Sequence, residues 1–93
     1  MNEHIEVVKK WLDDPESVSQ KELKTNFSSA SQDYYAYAIA NAGIYDVAWL
    51  LKQTANFASA AAYDSATTPA AAYRYVKPDA AHWVKLYEEL TNE

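Results

Sequence analysis

The stretch Val18-Ser19-Gln20-Lys21-Glu22-Leu23 contains the strongest local signal for structure in this chain. Ser19 and Glu22 have the Ser-x-x-Glu spacing of a capping box, in which the two side chains satisfy backbone N–H groups at a helix start. Val18 and Leu23 occupy the two apolar positions that flank such a start. The stretch therefore predicts a helix that begins within one residue of Ser19.

This helix is predicted to continue along an apolar stripe and to end near Gly43, because glycine is a common residue at a helix C-terminus. The members of the stripe recur every three or four residues: Leu23, Phe27, Ala30, Tyr34 and Ala38. An earlier helix is predicted over 3–13, with Asn2 as its N-cap and Pro15 just beyond its end. A third helix is expected to follow Gly43 and to extend to about residue 63.

Two interruptions are predicted in the C-terminal third of the chain. The first is 64–69, where Thr68 is expected to cap a short helix that Pro69 begins and that extends to about residue 75. The second is 77–79, after which a last helix is predicted over 79–90. Whether 43–75 forms one long helix or several stays open at this point.

The composition supports one small all-α domain. The chain has 93 residues, one glycine, three prolines and no cysteine, and no segment alternates β-branched and polar residues as a strand does. A chain of this length has room for one core only, so 1–93 is expected to form a single compact bundle of four to five helices. Without cysteine, no disulfide or thiolate metal site can form.

The charge of the chain bears on its partners. The formal net charge of −5 repels nucleic-acid phosphates and anionic lipid headgroups, and it favours partners with basic surfaces. The N-terminal residues lack the basic and apolar regions of a signal peptide, and no long uncharged apolar stretch occurs. The expectation is therefore a cytoplasmic protein with no direct contact to nucleic acid or membrane.

Residues capable of catalysis or metal binding are few. His82 with Asp79 is the only local pair with metal-ligand character, and its spacing equally fits an aspartate that caps a helix. His4 is expected to be solvated in the first helical turn. Asp64 is one of two acids in the charge-poor middle of the chain, and it is expected to mark a helix end. The sequence therefore predicts no enzyme activity, no cofactor and no metal.

Tyrosines are the most unusual feature of the sequence. Tyr34, Tyr35 and Tyr37 lie within four residues, so on a helix their rings point around most of its circumference and cannot all enter one core. Exposed tyrosines on a small rigid scaffold are typical anchors of protein interfaces. The alternative is that these rings lie at the core boundary and bond to nearby backbone groups.

A second group interleaves aromatic and basic residues: Tyr73, Arg74, Tyr75, Lys77 and His82. Rings alternating with cations can stack on bases and contact phosphates, which predicts a nucleotide or single-strand site as the alternative function. The charge-poor middle of the chain also allows a third hypothesis, a self-associating structural module.

Both ends of the chain resemble those of small uncharacterised bacteriophage proteins with an alanine- and tyrosine-rich centre. The resemblance covers 8–19, which reads VKKWLDDPESVS, and 82–91, which reads HWVKLYEELT. It includes no catalytic motif. It implies a phage context, in which small acidic proteins often act on host or defence proteins, including as anti-CRISPR factors.

The first functional hypothesis is therefore a non-enzymatic protein-binding module, encoded by a phage, that inhibits a host or defence protein such as a CRISPR-Cas component. Its interface is predicted at Tyr34, Tyr35 and Tyr37. A target that itself binds nucleic acid would present the basic surface that an acidic inhibitor attracts.

Overall fold

The computed structural model describes residues 2–40 and 47–91, and these form a helical bundle without a strand. The four α-helices are α1 (Glu3–Asp13), α2 (Gln20–Ala40), α3 (Val47–Thr67) and α4 (Tyr73–Thr91), with short 3₁₀ helices at Pro15–Ser17 and Ala70–Ala72. The prediction of an all-α bundle is confirmed. None of the described helices combines the length and apolar character needed to cross a membrane.

The helix starts predicted from the capping residues Asn2 and Ser19 are confirmed. The side-chain oxygen of Asn2 accepts the backbone N–H groups of His4, at 2.7 Å, and of Ile5, at 3.3 Å. The Ser19 hydroxyl accepts the backbone N–H of Glu22 at 3.1 Å. Both contacts satisfy donors that the first helical turn leaves unpaired, so they fix where α1 and α2 begin. The stop predicted at Gly43 lies outside the described residues.

The interruption predicted at 64–69 begins too early, because α3 continues to Thr67. The hydroxyl groups that suggested a break bond back to the helix instead. Ser65 donates to the Ala62 carbonyl at 2.9 Å and Thr67 donates to the Tyr63 carbonyl at 2.8 Å. Thr68 donates to the carbonyl of Asp64, so it closes α3 and does not cap a following helix.

The interruption predicted at 77–79 is wrong, because α4 passes through Pro78 without a break. A proline inside a helix removes the hydrogen bond to the carbonyl four residues earlier, here that of Arg74. Both residues are exposed, so water can bond to this carbonyl and the loss is smaller than in a buried helix. α4 therefore begins at Tyr73 and continues through the position at which the sequence predicted a division between two helices.

The core lies around α3, which packs against each of the other three helices. The buried face of α3 consists mainly of alanine and includes one fully buried serine: Ala55, Ala58, Ala61, Ala62, Ser65 and Ala66. Larger side chains come from the other helices, among them Ile5, Val8 and Trp11 from α1 and Val84 and Tyr87 from α4. Small residues on α3 allow its neighbours to approach closely.

α2 and α3 run antiparallel. The Gln20 side chain near the start of α2 donates to the Ala66 carbonyl near the end of α3 at 2.7 Å. About two turns after Gln20 on α2, the ring of Phe27 contacts the ring of Tyr63, which lies about one turn before Ala66 on α3. The N-terminal part of α2 therefore lies beside the C-terminal part of α3, and both helices contribute to the same surface.

Neighbouring alanines on α4 provide a matched test of the packing. Ala80 is fully buried and Ala81 is exposed. We expect Ala80→Leu to lower the free energy of unfolding by about 1–3 kcal/mol, because the core has no space for the added atoms. Ala81→Leu should change it by less than about 0.5 kcal/mol. Urea denaturation followed by circular dichroism measures both, and equal effects would contradict the packing described here.

Candidate functional site

A groove of about 370 Å³ lies between α2 and α3 and reaches Trp83 on α4. Aromatic rings form most of its surface, so we call it the aromatic groove. The rings belong to Phe27, Tyr34, Tyr35, Tyr63 and Trp83, and the smaller lining residues are Ser31, Asn56, Ser59, Ala60 and Asp64. Antiparallel packing of α2 and α3 brings these residues together from two distant parts of the chain.

Contacts between rings fix the walls of the aromatic groove. Phe27 and Tyr63 meet edge to face with centroids 5.3 Å apart, and Tyr34 and Tyr35 do so at 5.8 Å. Tyr35 and Tyr63 are nevertheless 61% and 52% exposed, which is unusual for such large side chains. The groove therefore presents positioned aromatic surface to the solvent.

One end of the aromatic groove is acidic. Asp64 and Trp83 also line an adjoining concavity of about 370 Å³, together with Asp79 and His82, and we call these four residues the acid end. The Trp83 ring is half-buried, stacks on Phe57 at 6.2 Å and lies 5.4 Å from the His82 ring. Residues of α3 and α4 thus place two carboxylates beside an indole.

Asp64 is the residue of the acid end whose ionised form is disfavoured by its surroundings. Burial raises the pKa of its carboxyl group above the usual value, the charge of Asp79 raises it further, and a hydrogen bond from Trp83 opposes both effects. Its Oδ2 atom is buried and has no hydrogen-bond partner among the described residues. The expectation that Asp64 marks a helix end is wrong, since α3 continues past it to Thr67.

The acid end has the chemistry of a cation site. Aromatic faces attract cations through their quadrupole, and a carboxylate oxygen without a donor is stabilised by a charged N–H group. The described part of the chain contains no group of three or more histidine, aspartate or glutamate residues placed to hold a metal ion.

The three tyrosines predicted to bind a partner do not share one surface. Tyr34 and Tyr35 line the aromatic groove. Tyr37 lines a different concavity of about 270 Å³, where it is grouped with His4 and Asp33. The sequence did not assign Phe27, Tyr63 and Trp83 to a site, because nothing in their local spacing shows that α2, α3 and α4 bring them together.

Four of the five residues predicted to form a nucleotide site contact one another in two pairs, and the fifth, His82, lies apart from them. The Arg74 guanidinium lies 5.1 Å from the centre of the Tyr75 ring, and the Lys77 ammonium lies 5.6 Å from that of Tyr73. Tyr73 itself donates to the Leu12 carbonyl and packs on Trp11 at 4.9 Å. His82 is about two helical turns beyond Tyr75 and belongs to the acid end.

The expectation that His4 is solvated is wrong, since it is only 4% exposed. Its Nδ1 lies 3.1 Å from Oδ1 of Asn26, and its Nε2 lies 2.8 Å from Oδ2 of Asp33. The Asn26 amide is oriented by its own N–H bond to the His4 carbonyl, at 3.1 Å. Both ring nitrogens therefore lie within hydrogen-bond distance of an oxygen on α2, which ties α1 to α2.

Comparison of the chain with protein-family models, with curated proteins and with solved structures finds no match.

The contacts of His4 predict a structural role for Asn26. Replacing Asn26 with Ala removes the partner of Nδ1 and the donor to the His4 carbonyl, so we expect the free energy of unfolding to fall by about 1–3 kcal/mol. Thr25→Ala, at the exposed neighbouring position, should change it by less than about 0.5 kcal/mol. Thermal and urea unfolding measure both variants. Equal stability of the two would show that the hydrogen bonds contribute nothing.

The raised pKa of Asp64 predicts a stabilising substitution. The folded state holds this proton more tightly than the unfolded chain, so stability is lost as the pH rises through the folded pKa. We expect Asp64→Asn to raise the free energy of unfolding at about pH 7 by up to about 1 kcal/mol. The difference from the wild type should shrink as the pH falls through the raised folded pKa towards 3.8, the ordinary value for the group, and should change little below it. Urea denaturation at several pH values tests this, and a variant less stable at neutral pH would contradict it.

Proposed function

We propose that this chain is a non-enzymatic protein-binding module that docks its partner in the aromatic groove. The observation that supports this most directly is the exposure of Tyr35 and Tyr63 on either side of a groove whose other walls are formed by packed rings. Burying such rings is a major source of free energy at protein interfaces, where tyrosine and tryptophan dominate the anchoring positions.

The rings are well prepared for binding. Tyr63 is held by Phe27 and Tyr35 is held by Tyr34, so these side chains lose little conformational freedom when a partner covers them. α2 and α3 are each 21 residues long and pack along one another, which gives the groove a rigid base. A preorganised surface of this kind binds with a lower entropy cost than a flexible loop.

The negative charge of the chain favours one class of partner protein. The net charge of −5 and the two carboxylates of the acid end favour a protein with a basic surface. Proteins that bind nucleic acid present such surfaces. Together with the resemblance of the chain ends to bacteriophage proteins, this supports a partner among host or defence proteins, including CRISPR-Cas components, in the cytoplasm of the infected cell.

The alternative nucleotide-binding function has weaker support. Arg74 and Lys77 already lie against the chain's own Tyr75 and Tyr73 rings, so binding a nucleotide would first have to separate these pairs. Tyr73 is also tied to α1 through Leu12 and Trp11. These residues stabilise the start of α4 more directly than they form an open site.

Tyr35 and Tyr63 are the residues whose truncation tests the docking surface. The immobilised chain would be used to capture its partner from a lysate of its natural host at moderate salt. We expect the double substitution Tyr35→Ala and Tyr63→Ala to reduce the captured partner at least tenfold, because each ring is expected to act as an anchor. The helical circular dichroism spectrum should stay unchanged, since both rings are largely exposed.

Tyr75→Ala is the matched control, because Tyr75 is 68% exposed and lies outside the aromatic groove. This variant should capture as much partner as the wild type. Equal capture by the double variant would refute docking in the groove. Capture of a second copy of the chain alone would replace the proposed partner with self-association.

A further inference from the structure

We infer that the acid end is a receptor for one arginine side chain of the partner protein, held between Asp64, Asp79 and the face of Trp83. The inference rests on the proposed function for the partner, and it adds the chemical group that the partner inserts. Three features of the acid end support an arginine: negative charge without a basic partner among the described residues, an aromatic face beside it, and a geometry that suits guanidinium better than ammonium.

The two carboxylates of the acid end have no lysine or arginine partner among the described residues. The concavity is lined by Asp64, Asp79, His82 and Trp83, and no lysine or arginine of the described residues is among them. The nearest basic residues along α4 are engaged elsewhere. Lys77 lies over the Tyr73 ring and Lys85 lies 3.9 Å from Glu89. A positive group from outside is therefore the simplest way to balance this charge.

Trp83 supplies a flat surface next to these carboxylates. It lines both the acid end and the aromatic groove, and its stacking on Phe57 fixes the ring. Tryptophan is the aromatic residue that attracts cations most strongly. A planar cation lying on this ring would keep its edge directed toward the carboxylates of α3 and α4.

Guanidinium suits this arrangement better than ammonium. It has five N–H donors in one plane, so it can stack on Trp83 while it donates to Asp64 and Asp79 together. The Asp64 carboxyl group accepts a hydrogen bond from Trp83, and its buried Oδ2 atom has no donor among the described residues. An ammonium group is a strongly hydrated point charge and loses more solvation on a ring surface.

Continuity with the aromatic groove indicates that the arginine belongs to a protein. Asp64 and Trp83 are shared by the two concavities, so a chain whose arginine occupies the acid end would place its neighbouring residues against Tyr34, Tyr35 and Tyr63. A free cation would use the acid end alone. The rings and the carboxylates together therefore fit a basic segment of a folded partner.

Peptides that differ in one functional group test the inference on the full chain. The ¹⁵N-labelled protein would be titrated with acetylated Gly-Arg-Gly-Arg-Gly amide, and with the same peptide containing lysine or the neutral isostere citrulline. We expect the arginine peptide to shift the Trp83 indole N–H signal saturably, the lysine peptide to bind at least about fivefold more weakly, and the citrulline peptide to cause no shift.

Two substitutions that each remove one negative charge distinguish binding at the acid end from general electrostatic attraction to the acidic chain. Asp64→Asn should weaken binding of the arginine peptide at least about tenfold. Glu6→Gln removes an exposed carboxylate of α1 that is not among the lining residues, and it should change the affinity less than about twofold. Assignment of the Trp83 signal is confirmed by its absence in Trp83→Phe.

Several results would overturn the inference. These are no saturable shift with the arginine peptide, equal binding of the citrulline peptide, and equal weakening by Asp64→Asn and Glu6→Gln. If these occur while partner capture still depends on Tyr35 and Tyr63, the arginine receptor is wrong and the docking groove stands. If the arginine peptide binds as expected while capture is independent of both tyrosines, the receptor stands and the proposed docking surface is wrong.

Discussion

Close packing of three helices against α3 is the constraint on which the rest of the structure depends. The buried face of α3 is made mostly of alanine, and it has little room for large side chains. The bulky rings Phe27, Phe57 and Trp83 are only partly buried at the margin of the core, and Tyr63 is exposed. The aromatic groove lies at this margin.

At the acid end, the stability of the fold and the proposed binding of a partner place opposite demands on Asp64. α3 continues through Asp64, and the neighbouring hydroxyl groups bond to helix carbonyls. This continuation brings the Asp64 carboxylate to α4 beside Asp79. Burial and like charge raise its pKa, so the ionised form is disfavoured in the isolated chain. Residues that reduce stability in this way are common at functional sites, where a ligand relieves the cost on binding.

His4 and its hydrogen-bond partners, in contrast to Asp64, stabilise the fold. The ring is buried and bonded at both nitrogens, to Asn26 and Asp33 on α2, and the Asn26 amide also bonds to the His4 carbonyl. These directional contacts fix how α1 sits on α2, which alanine packing alone specifies weakly. The His4 side chain is thus engaged in holding the fold, whereas Asp64 has an oxygen with no hydrogen-bond partner among the described residues.

The sequence by itself determined the helix starts at Asn2 and Ser19 and the all-α class, because capping and periodicity act over a few neighbouring residues. It also predicted that the crowded tyrosines cannot all enter one core, and Tyr35 and Tyr37 are exposed. Only the tertiary structure decided that Asp64 joins Tyr35 in one groove, that Tyr37 does not, and that His4 is buried. The physical reason is that these outcomes depend on which helix faces meet, and contacts between residues distant in the chain leave no signature in local spacing.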